Sequence, residues 1–226
     1  MIRVLRGQPA DVESDRGVTR ALAADTRETA TPAVRVWTPP RQVAFGRRDA
    51  RNDGYEAARE ASNRHGFPPY VRPVGGRAVA YTGTGVAFAR FEPIEDMRVG
   101  VDARYEALTA DVERALSELG VEPWRGEPRH SFCPGDHSLS GDGKLVGLAQ
   151  RVQKGVAQTA GIVVVTDRAE IAAVLEEVYA ALGVPFDPAS VGSVASSGGP
   201  DDPATVIEAF EDALVGDRER RVEHVG

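Results

Sequence analysis

Apolar positions along the chain recur with two spacings, one helical and one extended. The clearest helical stripe is Tyr105, Leu108, Val112, Leu116 and Leu119, which predicts a helix beginning after Asp102 as its cap. Residues 9–29 set Val12, Val18, Ala21, Leu22 and Ala23 among polar neighbours and predict another. "YEAAREASNRHG" predicts a third, closing on His65 and Gly66, a cation and a terminator. Residues 168–182 and "ATVIEAFEDAL" predict two more. The extended segments are "VRVWT", "QVAFGR", "KLVGLAQRV" and "TAGIVVVT". "YVRPVGGRAVAYTGTGVAFARFEP" reads as three strands separated by a Gly-Gly loop and a Gly-rich turn. The Gly/Ser/Pro-rich "SVGSVASSGGPDDP" predicts a loop, and the charged tail near 216–226 is expected to fray. Strands and helices mix without regular βαβ alternation. The expected class is therefore α+β, a mixed, largely antiparallel sheet flanked by helices. A length of 226 residues suits a single domain over 1–226.

Charge narrows the function classes. The formal net charge is −7, and carboxylates outnumber cationic side chains along most of the chain, so no nucleic-acid footprint is expected. Two lysines stand against twenty-five arginines. A single cysteine excludes an internal disulfide and with it a secreted disulfide scaffold. The N-terminus has no apolar leader core, and no apolar run approaches the roughly 18 residues of a membrane span. The expectation is a cytoplasmic protein with no membrane partner.

Two segments carry candidate chemistry. Cys133 lies in "SFCPGDHSLSGDGK", where the turn-forming Cys-Pro-Gly triplet favours an accessible thiol, although lone cysteines are commonly buried. A nearby cation would lower a thiol's pKa from roughly 8.5 and raise its thiolate fraction. Lys144 is the nearest candidate, with a solvated strand residue as the alternative. If 137–140 and 144–147 pair around Gly141-Asp142-Gly143, Lys144 sits at a hairpin tip. A straight strand would then leave the thiol roughly 20 Å away at about 3.3 Å per residue. The two meet only if Pro134-Gly135 turns the chain back or Lys144 opens the strand. The second segment is "RPVGGRAVAY", residues 72–81. Its glycines let backbone approach a ligand, with Arg72 and Arg77 as charge donors, or they form a simple turn in a β-meander. It is neither a P-loop nor a Rossmann loop. His130 and His137 flank Cys133 as candidate bases, and too few ligands accompany them for a metal site, so none is expected.

Together "RPVGGRAVAY…GTGV", "GVDARYEALTADV" and "SFCPGDHSLSGDGKLVGLAQRVQKGVA" resemble successive motifs of the lipoyl/octanoyl protein ligase and transferase superfamily. The likeness runs in order over about residues 35–166. It is strongest to the octanoyl-[glycine-cleavage H protein]:protein octanoyltransferases, the lipoyl amidotransferases. The resemblance implies a biotin/lipoyl protein ligase-like fold and an acyltransferase with no required cofactor. Cys133 would carry the acyl group as a thioester, and Lys144 would depress the thiol's pKa and contact the acyl carbonyl. Arg72, Gly75 and Gly76 match the loop that lines an acyl tunnel. Ala78, Val79, Val146 and Leu148 would wall it, and Arg77 and Gly147 complete the acyl-binding set. The implied partners are lipoyl-domain proteins, the glycine-cleavage H protein and 2-oxoacid dehydrogenase E2 subunits, or an acyl carrier protein as donor. One alternative is an ATP- and Mg-dependent lipoate–protein ligase acting through lipoyl-adenylate. Against it, Arg77 stands where that loop has a third glycine, Tyr81 where it has a histidine, and Val86 follows Gly85 in place of an asparagine. The other alternative is a non-catalytic lipoyl-domain binder.

Overall fold

A computed structural model describes residues 1–72 and 75–225. In chain order it forms β1 (Ile2–Arg6), α1 (Val12–Thr29), β2 (Ala33–Trp37), β3 (Gln42–Phe45), α2 (Tyr55–Arg64), β4 (Pro69–Val71), β5 (Val79–Tyr81), β6 (Val86–Pro93) and α3 (Val101–Glu118). Then come β7 (Trp124–Arg125), β8 (Ser138–Gly141), β9 (Gly143–Gln153), β10 (Val156–Val163), α4 (Arg168–Ala181), α5 (Pro203–Val215) and β11 (Arg220–His224). Pro73 and Val74, read from sequence as part of a strand, lie outside the described residues.

The main sheet has eight strands in the order β11-β1-β2-β6-β10-β9-β8-β7. Its β1–β11 and β1–β2 pairings are parallel and the rest antiparallel, which meets the α+β expectation. A second sheet, β4-β3-β5, stands beside it. One face of the main sheet is closed by α3 and α5, whose Leu108, Val112, Leu116, Phe210 and Leu214 pack on Val86, Phe88, Val146 and Val163. The stripe read from sequence is thus a buried one, but α3 starts earlier than expected. Gly100, at φ +76°, caps it, and Asp102 falls in its first turn. The other face meets α1 through Leu22, Ala23, Ala87, Ala89 and Phe91. The small sheet packs on α2 and α4 through Val43, Phe45, Ala58, Phe67, Leu175 and Val178.

The tail corrects the expectation of fraying. Residues 220–224 pair in register with β1, and Arg3 Nε and Nη2 donate to Glu223 at 3.2 and 2.8 Å. A charged edge strand is stable beside the buried Ile2 and Val4 because its own side chains need no core. Among the described residues, no helix is long and apolar enough to cross a membrane.

Candidate active site

Cys133 lies in the irregular segment between β7 and β8, half-buried, with the adjoining Phe132 sunk into the cluster under the small sheet. Its backbone has φ +41°, a left-handed conformation that costs a non-glycine residue on the order of 1–3 kcal/mol. Side chains pin both peptide groups that flank it. The Tyr179 hydroxyl, from α4, accepts from the Cys133 N–H at 2.7 Å and donates to the Ala78 carbonyl at 3.0 Å. Burial pushes the Tyr179 phenol far above the ordinary tyrosine range, outweighing the opposing hydrogen bond from Cys133, so it remains a neutral O–H. On the other side, Lys144 Nζ donates to the Cys133 carbonyl at 2.9 Å and the Phe132 carbonyl at 3.0 Å.

Lys144 does sit near a hairpin tip, opposite Ser140, yet it reaches the Cys133 loop. Leu139 faces Val146 while Ser140 faces Lys144, so Leu145 is an extra residue on β9. That bulge flips the parity of the strand and brings Lys144 and Gly147 to one face. A Cβ on Gly147 would lie 3.7 Å from Lys144 Cε, which shows the lysine stem running back along β9 from the tip. The chain also turns at Cys133 itself. Glu127 completes the hub. Its Oε2 meets Lys144 Nζ at 2.7 Å and accepts from Ser138 Oγ at 2.8 Å, and the Gly135 N–H donates to its carboxylate at 3.2 Å.

The sulfur faces a different cation. Arg72 Nη2 lies 3.4 Å from Cys133 Sγ and 2.5 Å from the Arg77 carbonyl. The Arg72 N–H donates to the Phe45 carbonyl at 2.9 Å, so the residue is anchored where β4 leaves β3. Burial works against the Arg72 charge, but attraction to Cys133 and then to Tyr81 leaves its pKa above the ordinary arginine value. Lys144 Nζ thus reaches the Cys133 loop at its carbonyl oxygens rather than at Sγ itself. Lys144 grips the backbone of the loop, and Arg72 meets the sulfur. The physical reason is the lysine's path along β9, which ends at carbonyl oxygens.

A cavity of about 640 Å3, with Cys133 in its lining, lies between α1 and the main sheet. Of the sites expected from sequence, Arg72, Gly75, Gly76, Val79, Cys133, Lys144, Gly147 and Leu148 border it. Leu148 also packs toward the closed face. Gly76 has φ +86°, and a Cβ there would lie 3.0 Å from Cys133 Sγ and 2.9 Å from Arg72 Nη2. Three expected residues stand elsewhere. Val146 points into the α3–α5 core, because alternation sends it away from Gly147. Ala78 is buried under the small sheet, with its carbonyl on Tyr179. Arg77 turns to the buried Asp49, Nη1 to Oδ1 at 2.9 Å.

His137 stacks on Tyr105 with ring centroids 3.8 Å apart, and His130 is exposed at φ +58°; neither imidazole is hydrogen-bonded to Cys133 among the described residues. No group of three or more His, Cys, Asp or Glu suited to a metal occurs among them either. Sequence reasoning missed Glu127, Tyr179 and Gly46. Tyr179 had a signal, since a tyrosine on the apolar face of a helix must find a partner for its hydroxyl. Gly46 follows β3, and a Cβ there would fall 1.9 Å from the Gly76 carbonyl, so this glycine lets the Gly-Gly loop lie against it. Glu127 carried no signal.

Residues 15–215 match the family described as the lipoyl protein ligase A/B catalytic domain. An octanoyl-[GcvH]:protein N-octanoyltransferase of Exiguobacterium sibiricum is 35% identical over 127 residues, covering 55% of this chain and 46% of the relative. Another of the same name, from Kyrpidia tusciae, is 30% identical over 158 residues, covering 68% of this chain and 54% of the relative. The chain spans about half the length of the curated relatives it matches. Among solved structures, a lipoate-protein ligase A bound with ATP superposes with a TM-score of 0.74 at 18% identity, over 99% of this chain and 88% of that one. That likeness establishes the fold.

Proposed function

The chain belongs to the lipoyl protein ligase A/B catalytic-domain family, and from that premise we propose that it passes an octanoyl or lipoyl group through a thioester on Cys133 to the acceptor lysine of a lipoyl domain. The observation that carries the reading is the position of the chain's one cysteine, in the lining of a cavity whose floor is built largely from small residues. The volume of about 640 Å3 falls within the roughly 300–1,000 Å3 of small-molecule sites.

The chemistry is amide for amide. The Cys133 thiolate attacks the carbonyl carbon of an acyl-lysine amide on the donor domain. The C–S bond forms, the C–N bond breaks, and the departing lysine nitrogen takes a proton from solvent. A neutral acceptor lysine then attacks the thioester carbonyl. A new amide forms, the C–S bond breaks to return the thiolate, and the surplus proton leaves for solvent. Donor and acceptor bonds are of one kind, so neither ATP nor Mg²⁺ enters the balance. The glycine-cleavage H protein is the donor in this reading, by likeness to the named relatives, and E2 lipoyl domains are acceptors. An acyl carrier protein thioester would load the same sulfur. A cytoplasmic location belongs to the reading, because the thiol must stay reduced.

The test is intact-mass measurement after incubation with octanoylated H protein, without ATP. The expected result is one octanoyl adduct on the chain and none on Cys133→Ser. Transfer to an apo lipoyl domain should fall on the order of 10⁴-fold or more in that variant. Wild-type transfer by Cys133→Ser would overturn the nucleophile, and strict dependence on ATP with free lipoate would move the chain to the ligase reaction.

A further inference from the structure

We propose that β11 is the interface between two copies of this chain, which pair antiparallel about a two-fold axis at Val222 and run their main sheets on into one. The proposal goes beyond the acyl-transfer reading and does not depend on it.

β11 is the outermost strand of the main sheet, and among the described residues no strand pairs with its outer side. The ends of its ladder to β1 fix which way its peptide groups point. The Ile2 N–H donates to the Glu219 carbonyl at 2.7 Å, and the Val225 N–H to the Arg6 carbonyl at 2.8 Å. In the register that sets Arg220 beside Ile2 and His224 beside Arg6, the N–H and C=O of Arg221 and Glu223 face β1. Those of Arg220, Val222 and His224 face outward, an open row that a further strand can fill. The side chains divide between the faces of the sheet. Val222 lies beside Val4 on the α5 side, where Arg220 meets Asp212 at 2.9 Å. It is 38% exposed, an apolar group on an uncovered edge. Arg221 and Glu223 project from the opposite face, where Glu223 also meets Arg3 at 2.8 Å.

Charges on an edge strand commonly repel a second strand, but these are arranged to suit a copy of themselves. In an antiparallel pair centred on Val222, that residue stands opposite its counterpart, and Arg221 of each chain stands opposite Glu223 of the other. The outward peptide groups make Val222 with Val222, and Arg220 with His224, the hydrogen-bonded pairs. Arg221 and Glu223 then form the non-hydrogen-bonded pairs, where Cα atoms approach to about 4.5 Å and opposite charges attract most closely. A slip of one residue would set outward peptide groups against inward ones. A slip of two would set Arg221 against Arg221 or Glu223 against Glu223. Backbone and charge therefore choose one register. The two-fold axis closes the contact on itself, so assembly stops at two copies.

Sedimentation of the full chain over a wide range of concentration should show a monomer–dimer equilibrium. Val222→Pro removes an N–H that the β1 ladder does not use, at an edge position open to proline. It should weaken association at least about tenfold. Its thermal midpoint, and the rate at which iodoacetamide labels Cys133 near the other edge of the sheet, should stay at the wild-type values. Arg221→Glu and Glu223→Arg each put like charges across the axis, so each should be monomeric alone. Mixed together they should form a heterodimer, because every cross-strand pair is again of opposite charge. Arg3 retains Asp25 as a partner in the second variant. Should Val222→Pro melt early, the charge mixture carries the test. A wild-type chain that stays monomeric throughout, a folded Val222→Pro that dimerises as the wild type does, or folded charge variants that stay apart when mixed would each overturn the proposal. Growth into longer oligomers would overturn it too, since β11 would then be meeting some other edge.

Discussion

The two faces of the main sheet differ in side-chain size, rung by rung. Val86, Val163 and Val146 stand abreast on β6, β10 and β9 and face α3 and α5. One residue further, Ala87, Ile162 and Gly147 stand abreast and face the cavity. The alternation then repeats. Phe88 and Leu148 close over Gly161, while Ala89, Ala160 and Ala149 form the next small rung. The closed face fills its space with branched and aromatic groups. The open face leaves room because, Ile162 apart, its residues on these rungs are glycine or alanine. One strand pattern therefore makes a core and a binding floor: on β6 and β9 the larger member of each alternating pair faces the helices, and only the Gly161–Ile162 pair on β10 reverses this.

Truncating the closed face should have the largest effect on folding. Phe88 and Phe210 are both fully buried, with ring centroids 5.1 Å apart. Phe210→Ala should cost about 3–5 kcal/mol, measured as a drop in denaturant midpoint. A loss below ~1 kcal/mol would mean this face is not packed as described. Filling the open face should do the reverse. Ala160→Phe places a ring in the cavity and should lower octanoyl transfer about 100-fold, equivalent to displacing three or four methylenes at ~0.8 kcal/mol each. Short acyl donors should suffer less, and stability should change little; equal loss for all chain lengths would show that the chain does not lie there. A smaller effect is expected at the join between the two. Tyr179→Phe strips a buried hydrogen bond from the Cys133 N–H and another from the Ala78 carbonyl. It should cost about 1–3 kcal/mol of stability and slow labelling of Cys133, whereas unchanged labelling would separate the loop's shape from its reactivity.

The smallest effect concerns acid. Asp202 caps α5, and its carboxylate is held below the ordinary aspartate range, first by the Thr205 hydroxyl and then by the Thr205 and Ala204 N–H groups. A depressed folded pKa contributes stability that is complete above about pH 4, the unfolded value, and is lost as pH falls through the folded one. Asp202→Asn should flatten the change in thermal midpoint between pH 5 and pH 3. An unchanged acid slope would remove the cap from the account.

Much of this was open to reading in the chain. The α3 stripe, the α+β class, the Cys-Pro-Gly loop and the Gly-Gly loop all follow from local periodicity and turn chemistry, because each depends on neighbours within a few residues. Gly76 was singled out for close backbone approach, and it stands against Cys133 Sγ. Three things were not local. The parity flip at Leu145 depends on how β8 and β9 register, and local alternation does not tell that Val146 faces the α3–α5 core while Lys144 turns to the Cys133 loop. The pairing of β11 with β1 joins residues more than two hundred positions apart, and no charge pattern in a short tail announces it. Arg72 meets Cys133 across 61 positions, through a ladder contact at Phe45 and a glycine that clears the way. Residue type told which groups were capable of chemistry. Which cation faced the sulfur was decided by register and packing, since a long flexible side chain is directed by the partners it finds.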